Sequence, residues 1–529
     1  MAIPSSVALE TKVHFLGGAR AQRPETPRLF AITRALLVVT LLAAPLPFGA
    51  VQEWAWGTLA VLAFLLLLLW SISSVQQGAA RVVWSPLYLP SGLFFVLGLI
   101  QWFGHFTMDP VATRESLLKL ATDLVLFFLA VQLLGATAAP RSALPPSVER
   151  GNALRPAYGG MAGSTARALR RTIVVYAFLL ALFAIFQFFS SHGLIYWTVP
   201  SPGWTFGPYV NHNHYAGLME MLIPLLVAGV LAALRRRPSL ASSNVVSIRH
   251  KASGDGPQNL LAPTGRESST SALAVFLGFV VLIPVVSLLL SGSRGGLVSL
   301  VVEVLLAAVV IFLRGPANAR KITAVLGSSA LLAAALFFVW MAPRQILERL
   351  ETVADISHSP EVRMGDRLVT SRDSLRILRD HPWIGAGLGS FETVFPRYQS
   401  LPGDLTWDHA HNDYVEALAE TGAAGAALIL CALALFFWLA FRNLRERLRQ
   451  TAGWMQFGAT LGCCGLLVHS FVDFNLHIPA NAAWFAVCTA IATSGVGSSL
   501  RETIPRSLHR SARATGGPFP AESVGPYRS

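Results

Sequence analysis

Between Thr406 and Leu428 the sequence reads TWDHAHNDYVEALAETGAAGAAL. His409 and His411 stand beside Asn412 and Asp413, just ahead of a run of small apolar residues. Three other polar clusters share that setting at the end of an apolar run. Asn211, Asn213 and His214 lie in FGPYVNHNHYAGLMEML, and Ser291, Ser293 and Arg294 in SGSRGG. His469, Asp473, Asn475 and His477 lie in VHSFVDFNLHIPANA. Polar groups at membrane depth are costly and mark function, so four such turns on one side point to one shared pocket. Histidine with aspartate can ligate a metal. These spacings match no familiar zinc pattern and asparagine is a poor ligand, so no metal or other cofactor is expected. His411 stands at the N-terminal end of an expected helix. There the positive end of the macrodipole favours a neutral ring that can accept a proton. The same field, helped by arginines, attracts phosphate. Together these suit the activation of a hydroxyl against a donor that departs as a phosphate.

The elements that must position these residues are membrane helices. The chain has 529 residues, 53% hydrophobic and only 13% charged, with a mean hydropathy of +0.54. A soluble domain carries about a quarter charged residues. Runs such as Leu59–Trp70, Thr172–Phe189 and Ala272–Leu290 are nearly charge-free, and a span needs about 20 apolar residues. Strand-like alternation is absent, which excludes a barrel. The fold class expected is an all-α integral membrane protein with about 12 spans, at roughly 31–50, 54–75, 86–103, 118–138, 172–190, 214–234, 272–291, 295–313, 322–342, 412–441, 454–473 and 479–497. With the N-terminus inside, the inside segments hold 30 of the 41 Lys and Arg. The positive-inside rule therefore fixes the orientation, and the net charge of +13 reads as a topology signal. No basic patch with interleaved aromatics suggests nucleic acid. The four cysteines all fall within expected spans and read as packing residues.

The expected organisation is an N-terminal cytoplasmic segment over 1–30, helices one to nine over 31–342, an outside loop domain over 343–411, helices ten to twelve over 412–497 and a tail over 498–529. Segments near 139–171 and 235–271, and the tail, are rich in Pro, Ser, Gly and Arg, a composition that predicts disorder. The outside loop is different. Leu368, Leu375 and Leu378 share one helical stripe, and Arg372, Arg376 and Arg379 a neighbouring one. Pro382 stops that helix, and Gly385, Gly387 and Gly389 follow as a turn. The sequence predicts an amphipathic helix at the outer membrane–water boundary. Its bland alternative is a solvated face whose arginines pair with Asp373 and Asp380. The loop carries 8 basic and 11 acidic residues between 343 and 413, so an anion site must use specific arginines. A transporter is the rival class, but it would need charge near mid-membrane, and the polar clusters sit at one face.

These segments resemble a known family. HNDYVEALAETGAAG, with His411-Asn412, nine residues and then Gly422-x-x-Gly425, resembles the signature of bacterial O-antigen ligases. SGSRGG, VNHNHYAGL, DRLVTSRDSLRILRDHPWIGAGLGSF and HSFVDFNLHIPANA are similar to segments of the O-antigen ligase and polymerase superfamily, in order from about Trp204 to Ala483. The resemblance implies a GT-C-like glycosyltransferase of the bacterial inner membrane that works at the periplasmic face without metal. The donor would be a glycan on undecaprenyl diphosphate. The acceptor would be lipid A-core in the ligase branch and another lipid-linked repeat unit in the polymerase branch. His411 matches the catalytic histidine, Arg294 the arginine of the short turn, and Arg367 and Arg372 the loop arginines that would hold the diphosphate. Asn211, Asn213, His214, His409, Asn412, Asp473, Asn475 and His477 would form the supporting pocket. Ser371 departs from the pattern, since many relatives have Trp there.

Overall fold

In a computed structural model of the chain, residues 28–76, 80–134, 163–201, 203–234, 265–314, 364–400, 407–447, 451–495 and 499–503 are described. Every described stretch whose hydropathy marks a span is helical. The helices are α1 (Arg28–Ala43), α2 (Glu53–Gln76), α3 (Tyr88–Phe103), α4 (Pro110–Leu133), α5 (Gly163–Ser190) and α6 (His212–Leu234). There follow α7 (Gly265–Leu290), α8 (Arg294–Arg314), the loop helix α9 (Met364–Asp380), α10 (Asp413–Arg447), α11 (Thr451–His469) and α12 (Pro479–Thr493). Among the described residues six helices are long and apolar enough to cross a membrane: Glu53–Gln76, Pro110–Leu133, Ala166–Ser190, His212–Ala232, Arg294–Leu313 and Asp413–Arg447. The span expected at 322–342 lies outside the described residues, as does the loop ahead of residue 364.

Three boundaries differ from the sequence reading. Helix α4 begins at Pro110, eight residues before the expected span, because Asp109 caps it by accepting from the Val111 and Ala112 amides at 3.0 Å. Its first turns are charged and lie above the apolar run, with Lys119 paired to Glu115 at 2.7 Å. Residues 163–171 and 265–271 fall in segments expected to be disordered but open α5 and α7 as helix. Part of the expected disordered tail forms β2 (Ser499–Thr503), which pairs antiparallel with β1 (Ala80–Trp84) in register Ala80↔Thr503. That ribbon departs from an all-helical chain.

Helix α6 is the hub of the bundle. Its apolar window is 89% buried, against 22% for α8 and α10. The outer helices turn Leu65, Leu68, Val309, Phe312 and Trp438 outward, as lipid-facing surfaces do. Gly458 and Gly462 let α11 lie directly on α6. A Cβ at Gly458 would meet the Pro224 carbonyl oxygen at 2.6 Å, and one at Gly462 would meet Met221 Cα at 2.7 Å. Small residues four apart are the usual means of close helix contact in lipid.

The bundle has two unlike ends. At one, Gln132 near the end of α4 bonds both the amide and the carbonyl of Val83 in β1, at 2.8 and 3.0 Å. At the other, the cap of the same helix, Asp109, accepts from the Thr393 hydroxyl at 2.7 Å, so the loop of α9 docks there. The polar turns ahead of α6 and α10, between α7 and α8 and between α11 and α12 gather at that second end.

Helix α10, expected as one continuous span, is broken at Gly422, which has φ 60° and ψ −160°. The loop after α9 enters the break. Ala386 and Gly387 amides bond the Ala419 and Glu420 carbonyls at 3.0 Å, and Ala423 and Ala424 amides bond Pro382 and Trp383 at 2.9 Å. Gln101 of α3 secures the junction, donating to the Glu420 carbonyl at 2.8 Å and accepting from the Leu388 amide at 3.1 Å. The expected stop at Pro382 is observed, and Gly385, Gly387 and Gly389 all take positive φ.

Candidate active site

Four segments meet at Asp473, in the loop between α11 and α12. Its carboxylate is fully buried. Oδ1 lies 3.5 Å from His411 Nδ1 and 3.9 Å from His214 Nε2, and Oδ2 lies 4.0 Å from His469 Nε2. Burial alone would raise this carboxyl, but His411, His214, His469 and Arg367 around it hold it well below the usual carboxylate range. Phe474 is the hydrophobic floor: the rings of His214, His409 and His411 pack on it with centroids 4.8, 4.2 and 5.0 Å away.

His411 is presented by an unusual backbone. It has φ 51°, which turns the chain sharply into α10. Asn412 is the cap of that helix, its Oδ1 accepting from the Tyr414 and Val415 amides at 3.1 Å, while its Nδ2 donates to the Phe471 carbonyl. The macrodipole of α10 therefore starts one residue beyond His411, as the sequence suggests.

His409 and His477 belong to a closed ion-pair network. His409 Nδ1 lies 2.7 Å from Glu416 Oε1, and His477 lies 2.8 Å from Asp413 through Nδ1 and 3.3 Å from Glu416 through Nε2. Burial opposes a charged His477, but Glu416, Asp413 and Glu420 outweigh it and push the ring up to about 10. Glu416 also accepts the Ala410 amide at 2.8 Å. His409, Glu416 and His477 offer ligand atoms within 4.8 Å of one another, a grouping that could hold a metal. Each of these groups is already paired within the network. We read the trio as the clamp that fixes the His409–His411 turn.

The arginines divide. Arg367, on the first turns of α9, donates through Nη1 to the Val472 carbonyl at 2.8 Å, and its Nε is buried without a hydrogen-bond partner. The SGSRGG turn that carries Arg294 packs on the same place. A Cβ at Gly295 would meet the His469 ring at 2.4 Å and Val472 at 3.1 Å. Arg372 is exposed, five residues on and about 140° round the helix from Arg367. The buried side of α9 is Thr370, Asp373, Ser374 and Ile377, while Leu368 and Leu375 are exposed.

Of the other expected pocket residues, Asn475 is fully buried and accepts from Asn481, which also donates to the His214 carbonyl at 2.9 Å. Asn211 accepts the Asn213 amide and shapes the start of α6; Asn213 is buried. Sequence reasoning passed over the pairing role of Glu416, and read Glu220 as paired or pore-facing without naming its partner. Glu220 bonds His469 Nδ1 at 2.7 Å across 249 residues of sequence, a distance over which periodicity carries no signal.

One property of the cluster is chemical. His411 Nδ1, both His214 nitrogens, Asp473 Oδ2, Arg367 Nε and Asn475 Nδ2 are all buried with no hydrogen-bond partner among the described residues. Native proteins leave few such groups, and these six atoms lie together around Asp473, apart from others such as Asn443 Oδ1 and Gln456 Oε1 elsewhere in the bundle. No curated protein matches the chain. Residues 279–430, which run from α7 through the break in α10, match the family model described as O-Antigen ligase, so this part of a multi-pass helical membrane chain is similar to the O-antigen ligases.

Proposed function

We propose that the chain is an O-antigen ligase-like glycosyltransferase of the bacterial inner membrane. It transfers a glycan from undecaprenyl diphosphate to a lipid-anchored acceptor, lipid A-core or similar, at the periplasmic face and without a metal. The observation that carries this reading is the convergence of unpartnered buried donors and acceptors around His411, Asp473 and Arg367, in a chain whose 279–430 segment matches the O-Antigen ligase family model. Those groups await a ligand with both hydroxyls and anionic oxygens.

The geometry supports the following chemistry. His411 Nδ1 faces Asp473, so the tautomer with its proton on Nδ1 leaves the Nε2 lone pair for the acceptor hydroxyl. That hydroxyl gives its proton to Nε2 as its oxygen bonds the anomeric carbon of the donor sugar. The bond from that carbon to the diphosphate breaks, and lipid diphosphate leaves with the electron pair. Asp473 balances the imidazolium that forms, as a buried carboxylate does in a catalytic dyad. Arg294 and Arg367 meet the charge gathering on the leaving diphosphate, and Arg372 stands at the rim of the entry.

The test uses membranes containing the full chain, lipid-linked glycan and lipid A-core. His411→Ala should bind donor and transfer almost nothing, since a positioned base contributes about 10²–10⁴-fold. His409→Ala should be milder, because its role is to clamp the turn. Near-normal transfer by His411→Ala would end the general-base reading. Product built only from donor, with lipid A-core ignored, would make the chain a polymerase of the same superfamily. Activity should survive EDTA; loss restored by one divalent ion would convert the His409–Glu416–His477 clamp into a ligand set.

A further inference from the structure

Behind Asp473 the polar cluster continues into the bundle. Glu220, inside α6, bonds His469 Nδ1 at 2.7 Å through Oε1; His469 Nε2 reaches toward Asp473 Oδ2 at 4.0 Å; Asp473 Oδ1 faces His411 Nδ1 at 3.5 Å. Acid and imidazole alternate along four side chains from three separate parts of the sequence. Glu220 is fully buried, and His469, at the end of α11, is 1% exposed. A plain tie between α6 and α11 needs no charge, since a neutral amide would accept the same imidazole proton. A carboxylate there does something more. It stabilises His469 as a cation whose Nε2 lies 4.0 Å from Asp473 Oδ2.

We propose that Glu220 is a positioning residue for His411, acting through His469 and Asp473. This rests on the reading of His411 as the general base. The His469 ring, 4.0 Å from Oδ2, shares the charge of Asp473, while Oδ1 faces His411. The groups facing Asp473 are His411 ahead of α10, His214 on α6, His469 on α11 and Arg367 on α9. Those facing Glu220 are His469 on α11, Asp473 beyond it, and Ser299 and Glu303 on α8. Glu303 lies one step deeper, against Gly465, where a Cβ would meet its carboxylate.

The sign of the effect follows from these charges. In Glu220→Gln the amide still accepts from His469, so the helix tie persists, but the imidazole loses the carboxylate that keeps it charged. Asp473 then loses a nearby cation, and its charge falls on His411. The protonated form of the base gains, so the rising limb of the pH–rate profile moves to higher pH.

The experiment compares wild type, Glu220→Gln, Glu220→Asp and His411→Ala in the same membranes, with lipid-linked glycan and lipid A-core. For Glu220→Gln we expect unchanged protein level and KM within about twofold. At neutral pH kcat should fall roughly tenfold, a fraction of the about 10²–10⁴ that a positioned base contributes. The rising limb should shift upward by about half a unit or more as the charge balance changes, so that the deficit shrinks at pH 9. Glu220→Asp, which keeps the carboxylate, should restore part of the profile. An unshifted limb in Glu220→Gln, whatever its kcat, overturns the proposal and leaves Glu220 a packing residue. If Glu220→Gln fails to accumulate, His469→Gln removes the same cation and must show the same shift. Full transfer by His411→Ala would sink the base assignment instead, which separates the two failures.

Discussion

Arg367 gives one nitrogen to the Val472 carbonyl and keeps another buried without a partner, which makes it a donor held ready for an anion. Hydrogen bonds to a charged group are worth about 1.5–3 kcal/mol, so Arg367→Ala should reduce transfer roughly 10- to 100-fold at normal protein level. Arg367→Lys should recover little, because an ammonium lacks the guanidinium fork. Arg376 and Arg379 are exposed, and Arg376 is spent on Asp373 and the Tyr398 carbonyl at 3.3 Å. Their Ala variants should stay within a few-fold in the same assay; equal losses at all three positions would reduce Arg367 to a surface charge. His477 gives a pH prediction. Its ring is raised from 6.5 to about 10 by carboxylates, so its stabilising charge is present in full below pH 6.5, declines as pH rises and is gone past about 10. Thermal unfolding of detergent-solubilised protein should weaken over that window, and His477→Gln should flatten the dependence. The turns holding His411, Asp473 and Arg294 were legible because polar residues at the ends of apolar runs stand out. The pairing of His409 and His477 with Glu416 was not. Glu416 sits seven residues from one partner and sixty-one from the other, on a helix whose first turn reads like any acidic N-terminus.

At the scale of elements, hydropathy located the helices and failed at their breaks and beginnings. Asp109-Pro110 is a helix start that charged turns concealed, and Gly422 looks like one small residue among many in AETGAAGAAL. The break has a plain physical origin. Its backbone lies in a region open to glycine alone, and a Cβ there would meet the Gly385 nitrogen and Trp383 carbon at 2.6 Å. Gly422→Ala should therefore cost at least the about 1–3 kcal/mol of such strain and expel the loop of α9 from α10. Limited proteolysis should then open the chain between 381 and 400, and transfer should fall with the loss of Arg367 from the cluster. Protection equal to wild type would show that the loop is held elsewhere. Asn412→Ala should be gentler, near the about 0.5–2 kcal/mol of a lost cap.

For the whole molecule, alternation of helix direction places β1, β2 and the end of α4 at one side of the bundle and the polar cluster at the other. The orientation we propose puts the cluster outside. In a chain with its four cysteines replaced by serine, Arg379→Cys should react with an impermeant maleimide on intact spheroplasts. Glu446→Cys, exposed at the far end of α10, should react only after permeabilisation. The reverse pattern would overturn the periplasmic mechanism together with the topology. Leu368, Trp383, Phe103 and Phe471 are exposed near the cluster, the kind of apolar and aromatic rim that sits at a membrane–water boundary.

The facing of His214 on α6 toward a carboxylate at position 473 has a consequence for biogenesis. Helices enter the bilayer in the order of translation, so α6 and α8 are in place while the ribosome has yet to make α11. Until that last hairpin is threaded, the nascent protein holds His214 without the carboxylate it faces. On the function proposed above, a half-inserted or truncated copy stays inert toward lipid-linked sugars. On that reading the ability to react arrives with the final helices, at the moment the bundle closes.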